Sequence, residues 1–594
     1  MASKLPRLLI TSVDESTWVL DRPILFLGEW CVLKKHSKIL EQVDFEIAPP
    51  FKLKYGSYRD ESDYLNNVRE KLLIDITKEL NRVHNVSYNN RYWNILLGNW
   101  LVRCVDVIYN RYYTLEKILS EQNINGAIVI DNYDKSKIVT HDSLQFIWSA
   151  SINDLWDYSI CSRIVNYLAP SVEKIPRKPS KNIFDNTIIS AKRNFFFKKW
   201  IHNIKKLLVN NILPFFSKSD DAFIINSYLP WKQEFNFQIS LGQMPQFWKS
   251  PKPVCTNWNQ DFRLKISLKE ENFSGFEFFI RSILPELIPT CYVEGYKKIY
   301  SQVKSLPWPI KPKFIFTSNN FDTDEIFKFY TALKITQGVP YFVGQHGSNY
   351  GTLYGSQHSP EQTTSDKFLT WGWTNGISKN IPAFNFKIIN YPRNRRLSIK
   401  GILLIELHPL HRIGHSDEYA KFKDYLTQQF EFVSGLEGTI FNELTIRLHS
   451  ASKYFDFNEE QQWRDKFSSI KIDDGVASIQ KLVFNNRLII HSYDSTGILE
   501  TLALNRPTIC FWHEVLDHLL DEAKPHYQSL INVGILHGSA IEAANFVTEK
   551  WAKLEEWWFS MEVQKARKYF CSHYSRIENS PILFLKKQIL LNTK

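Results

Sequence analysis

Short apolar runs closed by polar or glycine residues recur along the chain, and between them apolar positions fall every third or fourth residue. Residues 7–12 (Arg-Leu-Leu-Ile-Thr-Ser) and 23–27 (Pro-Ile-Leu-Phe-Leu, closed by Gly28) form the first two runs. From Asp63 to His84, Leu65, Val68, Leu72, Leu73, Ile76 and Leu80 keep close to the period of an amphipathic helix. A second helical pattern, from about Tyr92 to Leu119, is more hydrophobic, which predicts a buried helix. Residues 126–131 (Gly-Ala-Ile-Val-Ile-Asp) then have the form of a strand buried on both faces. This alternation predicts an α/β fold with parallel sheets.

The pattern resumes with strands at 313–318 and 340–343, on either side of a helix from about Asp324 to Gln337 that Gly338 closes. Another series follows a basic, loop-like stretch near Arg393–Lys400. Its strands are 401–405, 444–448, 487–490 and 507–511, and its helices Tyr419–Leu436 and Gly497–Leu504. The expected architecture is two Rossmann-type α/β domains facing a cleft, residues 1–395 and 396–594. The interrupted helical stretch Lys565–Leu591 is a candidate to cross back to the first domain. In such folds ligands bind at the carboxyl ends of the strands.

Composition narrows the classes. The 594 residues are 44% hydrophobic and 23% charged, and Gly and Pro number only 22 and 25, which excludes collagen-like and disordered chains. Aromatics reach 14%, with 18 Trp; they suit a core and equally the stacking of sugars or nucleotides. The net charge of +11 favours anionic partners. Seven scattered cysteines without a CxxC pair argue against a disulfide framework or a zinc site and fit the reducing cytosol. No signal peptide or membrane-spanning run is expected. Between Lys192 and Lys206 six Lys/Arg and no acid accompany Phe195, Phe196, Phe197 and Trp200. That segment either packs its aromatic face on the core or lies on an anionic bilayer.

Several places carry candidate chemistry. The block from Leu488 to Ile509 has the form strand, polar loop, helix, strand, with Ser495 and Thr496 at the helix start. Free backbone N–H groups and the helix dipole make that an anion site, unless Ser495 only caps the helix. His491 and Asp494 sit in the same loop, and Glu500, one turn on, suits a ribose. Arg447 and His449 share a face at a strand end, where a guanidinium fork suits a phosphate. The segment Gly344-Gln345-His346-Gly347-Ser348-Asn349-Tyr350-Gly351 follows a strand; glycines allow close approach, and His346 is a candidate proton shuttle. Residues 369–373 are expected to brace that loop. Asn319 ends another strand, and Glu29 is a second candidate base or else a surface carboxylate. Asp322-Thr-Asp324 and Asp473-Asp-Gly475 resemble acidic motifs of sugar transferases, although turns and caps use the same residues.

Taken together, residues 27–31, 91–101, 344–351, 370–373, 447–448 and 491–508 resemble a family of transferases encoded in bacterial O-antigen and surface-polysaccharide gene clusters. The resemblance implies a GT-B glycosyltransferase similar to enzymes that use CMP-activated ulosonic acids such as Kdo or pseudaminic acid. Relatives of that kind place a His-Pro pair and a Ser-Ser or Ser-Thr pair around the nucleotide phosphate. Ser495-Thr496 matches the second. For the first, Arg447-Leu-His449 lies at the expected strand end without the Pro, and His408-Pro409 lies on an earlier strand. The implied roles are catalysis by His346 and Glu29. Substrate binding falls to Gln345, Gly347, Asn319, Arg447, His449, His491, Asp494, Ser495, Thr496 and Glu500. No metal or cofactor is expected beyond the nucleotide-sugar donor. The acceptor is a glycan or lipid-linked glycan, reached from the cytoplasm or the inner face of the plasma membrane. The alternatives are a CDP-polyol phosphotransferase of the teichoic-acid kind and a non-catalytic glycan- or nucleic-acid-binding protein. No helix-turn-helix, zinc-finger or RNP motif supports nucleic acid.

Overall fold

A computed structural model describes residues 5–50, 53–131, 133–180, 217–268, 272–389, 397–407, 422–450, 452 and 458–593. The Lys192–Lys206 cluster and His408-Pro409 lie outside the described residues. The strands form three sheets, and every pairing within them is parallel. The first holds β1 (Arg7–Ile10), β2 (Ile24–Phe26), β3 (Phe45–Ile47), β4 (Ile124–Ile130) and β5 (Glu173–Arg177), in the order β3-β2-β1-β4-β5. The second holds β6 (Phe223–Ile224), β7 (Ile315–Thr317), β8 (Tyr341–Gly344), β9 (Lys367–Thr370) and β10 (Asn380–Pro382), in the order β10-β9-β8-β7-β6.

The third sheet comprises β11 (Ile402–Ile405), β12 (Leu444–Arg447), β13 (Lys471–Asp473), β14 (Leu488–His491), β15 (Thr508–Phe511) and β16 (Leu536–His537). Its order, β13-β12-β11-β14-β15-β16, places a topological switch point between β11 and β14. The sequence pattern predicts one series before residue 395; the structure builds two sheets there. The proposed boundary falls between β10 and β11, in a link whose residues 390–396 lie outside the described residues.

The helix Asn90–Glu121 joins the first two sheets. Its side chains are buried on nearly every face, including Trp93, Trp100 and Tyr109, so one hydrophobic core runs from the first sheet to the second. Asn89 caps its start by accepting from the Tyr92 N–H. A separate cluster covers the other face of the second sheet, where Leu585 and Ile589 of the C-terminal helix Pro581–Leu591 pack with Ile224, Phe316 and Phe342. The last helix thus returns from the third sheet to the second. The class is α/β and GT-B-like: the carboxyl ends of the second and third sheets face one another across a cleft, and the first sheet is an additional parallel unit beside them. No helix among the described residues is long and apolar enough to cross a membrane.

Candidate active site

Residues that leave the carboxyl ends of β8 and β14 meet across the cleft. β8 is buried throughout and ends at Gly344, where a Cβ would strike Ser318 Oγ at 2.4 Å and Phe386 at 2.5 Å; only glycine fits. Gln345 follows, buried, with both polar atoms of its side chain hydrogen-bonded within the protein. Its amide donates to the Gly347 carbonyl at 2.8 Å, and its Oε1 accepts from the Trp371 N–H and from Trp373 Nε1, both at 2.8 Å. The segment 369–373 does brace the loop, and Gln345 is the strut rather than a substrate contact. Gly347 lies against the third sheet's unit: a Cβ there would come within 2.8 Å of Thr496 Oγ1. The next residue, Ser348, donates its N–H to that same oxygen at 3.0 Å.

Thr496 opens the helix Thr496–Ala503, and Ser495 is its N-cap by position but makes no capping bond with its side chain. Ser495 Oγ instead lies 3.3 Å from His491 Nδ1, and His491 Nε2 lies 3.3 Å from Thr501 Oγ1. His491 is fully buried beneath the first turn of that helix, and burial pushes its imidazole down to about 3. It supports the helix start and has no surface to offer a substrate, which corrects the role implied by the sequence.

His346 sits between the two halves. Its Nδ1 is 3.1 Å from the Tyr350 hydroxyl, which donates to Glu361 Oε1 at 2.5 Å. The rings of Phe321 and Tyr228 approach it edge-on at 5.9 and 6.4 Å. Asp322 faces it and is paired with Arg103 at 2.6 Å. Burial pushes the imidazole down to about 4; Lys387 and Arg103 push the same way and Asp322 opposes them. Burial tends to raise the Asp322 carboxyl, but Arg103 holds it below the ordinary range. A cavity of about 270 Å³ is lined by His346, Gly347, Ser348, Tyr350, Glu361 and Thr496, among others.

Lys387, in the short turn Phe386–Ile388 after β10, reaches toward the third sheet. Its ammonium is 3.6 Å from Glu500 Oε1 and stands over the rings of Tyr228 at 5.0 Å and Trp371 at 5.9 Å. Burial raises the Glu500 carboxyl, and Lys387 opposes the rise. Tyr228 is held at a φ of 63°, a conformation unusual for a bulky side chain. A backbone bridge closes the cleft elsewhere: Leu520 N–H donates to the Thr352 carbonyl at 2.7 Å and Tyr354 N–H to the His518 carbonyl at 3.2 Å.

Other residues singled out from the sequence lie elsewhere. Arg447 is turned into its own loop, bonded to Asp473 and to the carbonyls of Gly475 at 3.0 Å and Ala477 at 2.9 Å. Its fork is already occupied, so it is not the phosphate ligand that the sequence suggested. His449 lines a different cavity, of about 340 Å³, with Ser452 and Glu459. Asp494 accepts from the Tyr527 hydroxyl at 3.0 Å and lies 3.2 Å from His518 Nε2, a link to the bridging loop rather than to the His346 cavity. Asn319 lies at the end of β7, with its N–H directed to Thr317 Oγ1 at 3.3 Å, outside the lining of that cavity. Glu29 is not beside His346. It lines a third cavity, of about 210 Å³, with Trp30, Asn110 and Asp424. Arg103, near His346, and Asn110, near Glu29, are seven residues apart on one helix, about 10 Å along its axis. Burial raises the Glu29 carboxyl while Lys423 opposes, so it engages the start of the helix Phe422–Ser434.

A family model for the LIC12162 family transferases matches residues 7–589. The chain belongs to the LIC12162 family of transferases. That match takes in all three sheets and most of the returning C-terminal helix. No curated protein matches this LIC12162 family member. Solved structures to which it is similar include MnaA of S. aureus with UDP (12% identity, 63% of this chain and 98% of that chain, TM-score 0.36). The glycosyltransferase SnogD from Streptomyces nogalater has 11% identity over 63% of this chain and 99% of its own, with a TM-score of 0.34. MurG of Acinetobacter baumannii has 12% identity over 62% and 99%, with a TM-score of 0.33. Likeness at that level carries no argument about what the LIC12162 family transferase binds.

Proposed function

We propose that this transferase is a glycosyltransferase that moves an acidic sugar of the ulosonic kind from a CMP-linked donor to a hydroxyl of a surface-glycan acceptor. One observation carries the reading: His346 of the second sheet's unit and Thr496 of the third line the same cavity. Transfer needs a group that takes the acceptor's proton and a cradle for the departing phosphate. His346 is the first. The amino end of the helix Thr496–Ala503, with Lys387 close by, is the second. In this reading the helix end and Lys387 supply the positive charge and no metal ion takes part. The CMP assignment and the ulosonic acid come from the family resemblance of residues 491–508. The charge of +11 suits an anionic donor, a phosphorylated lipid-linked acceptor and a place at the inner face of the plasma membrane.

The test is a melting-temperature comparison of CMP, UDP, GDP and CDP at equal concentration. CMP is expected to give the largest rise, since a ligand at 100 times its Kd stabilises by about 2.7 kcal/mol. A larger rise with UDP or GDP overturns the CMP assignment, and a larger rise with CDP points to polyol-phosphate transfer. Membrane association is tested by co-sedimentation with anionic and neutral vesicles. Binding to the anionic vesicles alone, released by salt, is expected.

A further inference from the structure

We infer that Tyr350 and Glu361 form, with His346, a proton wire that takes the acceptor's proton away from the reacting centre and stores it on Glu361. The inference rests on the reading of His346 as the proton acceptor and adds two residues and a route to it.

The geometry sets the direction. A tyrosine hydroxyl has one proton, and Tyr350 gives it to Glu361 Oε1 at 2.5 Å. Its lone pair is then what faces His346 Nδ1 at 3.1 Å, so Nδ1 carries a proton and Nε2 is left bare. All three residues line the 270 Å³ cavity that Thr496 closes from the other side. Glu361 is 5% exposed, at the inner end of this chain of hydrogen bonds.

The wire resolves a difficulty with His346 as a base. The charged groups that face it are Asp322, itself paired with Arg103, and Lys387; burial leaves the imidazole at about 4. An imidazolium does not accumulate there near neutral pH. Glu361 is the opposite case. Burial raises its carboxyl, Asp322 adds to the rise, and hydrogen bonds from Tyr350 and Ser359 oppose it. The site disfavours charge on the ring and makes the Glu361 carboxylate a better proton acceptor than an ordinary one.

The step balances. The acceptor O–H bond breaks and its proton goes to Nε2, while the Nδ1 proton passes to the Tyr350 oxygen and the Tyr350 proton to Glu361 Oε1. The acceptor oxygen's electron pair forms the bond to the anomeric carbon. The donor phosphate leaves with the electron pair of the bond it breaks. His346 begins and ends neutral with its tautomer exchanged, Tyr350 regains a proton, and Glu361 goes from carboxylate to acid. Return of that proton to water resets the site.

The test uses Tyr350→Phe, Glu361→Gln and the double variant in the full chain, with CMP-Kdo as donor and release of CMP as readout. Each single variant is expected to slow CMP release by about 10²–10⁴-fold. The double variant is expected to be no slower than the worse single one, because one wire is cut once. CMP affinity stays unchanged and Glu361→Asp restores part of the rate, which a merely structural role would not produce. Glu361→Gln that is folded and within threefold of the wild-type rate overturns the wire. A second readout needs no substrate: ¹⁵N NMR of histidine-labelled protein is expected to show His346 protonated at Nδ1 and bare at Nε2, a state that Tyr350→Phe disturbs. The reverse tautomer in the wild type overturns the proposal. If CMP-Kdo is not cleaved by the wild type, the donor assignment fails while the NMR result still decides the wire.

Discussion

The backbone N–H of Ser348 donates to Thr496 Oγ1 at 3.0 Å, tying the loop after β8 to the helix after β14 across the cleft. Gly347, one residue earlier, lies so close that a Cβ would stand 2.8 Å from the same oxygen. The loop that carries His346 and the start of the helix after β14 thus meet at one hydroxyl.

Gly347→Ala is expected to force that contact apart. Overpacking of this kind costs about 1–3 kcal/mol. Turnover should fall by at least about tenfold, equivalent to ~1.4 kcal/mol of barrier, with the protein still folded. In a Thr496→Ala background the same change should add almost nothing, because the colliding oxygen is gone. Equal effects in both backgrounds, measured as turnover and melting temperature, would separate Gly347 from the contact.

Arg447→Ala is expected to lower stability and leave nucleotide affinity alone. Its guanidinium holds Asp473 and the carbonyls of Gly475 and Ala477, so removal leaves a carboxylate and two carbonyls without their donor. A loss of about 1–3 kcal/mol follows. Denaturant unfolding and CMP titration of the variant decide the point; weakened CMP binding with unchanged stability would return Arg447 to the donor site.

Lys387→Ala should act on affinity instead. The Lys387–Glu500 pair is about one-third exposed on each side, so its contribution to stability is small. Loss of the ammonium is expected to weaken CMP binding by about tenfold at low salt, with the difference shrinking as salt rises. Glu500→Gln should move affinity the other way, by releasing Lys387 from its partner. Isothermal titration at two salt concentrations checks both, and a Lys387→Ala protein with wild-type affinity removes Lys387 from the phosphate site.

Acid should destabilise the fold through its buried histidines. Burial lowers His491 to about 3, and His84, His346 and His526 to about 4, from an ordinary 6.5. Between those values and 6.5 the unfolded chain binds more protons than the folded one, so stability is greatest above 6.5 and falls as pH falls toward 4. Each such histidine contributes a slope of up to ~1.4 kcal/mol per pH unit in that window. Melting temperature should drop steadily from pH 7 to pH 4.5, and His491→Gln should flatten the slope. A melting temperature that stays level across the range would show these rings free to charge.

The pattern of apolar residues located the central strands β1, β2, β4, β7, β8, β11, β12, β14 and β15 to within a residue or two. Those strands are covered on both faces and read as continuous apolar runs. β3, β5, β6, β10, β13 and β16 escaped it, and each is a sheet edge, short and mixed in composition because one side lacks a neighbour. β9, an inner strand, was seen only as part of the bracing segment. The missing edges are also why two sheets before residue 395 passed for one.

The sequence by itself determined what is local. The glycine-flanked 344–351 loop and the Ser495-Thr496 helix start are legible because a strand end, a turn and a helix start are each fixed within a few residues. Tertiary structure alone decided the rest. Arg103, Asp322 and Glu361 come to the His346–Tyr350 loop from three separate segments, and Lys387 reaches Glu500 from the link after β10. Arg447 carries no local mark of the carbonyls 28 and 30 residues on that occupy it. Which groups share a cavity, and therefore which way their protons move, follows from how the three sheets pack. That depends on contacts between residues hundreds of positions apart, which no periodicity records.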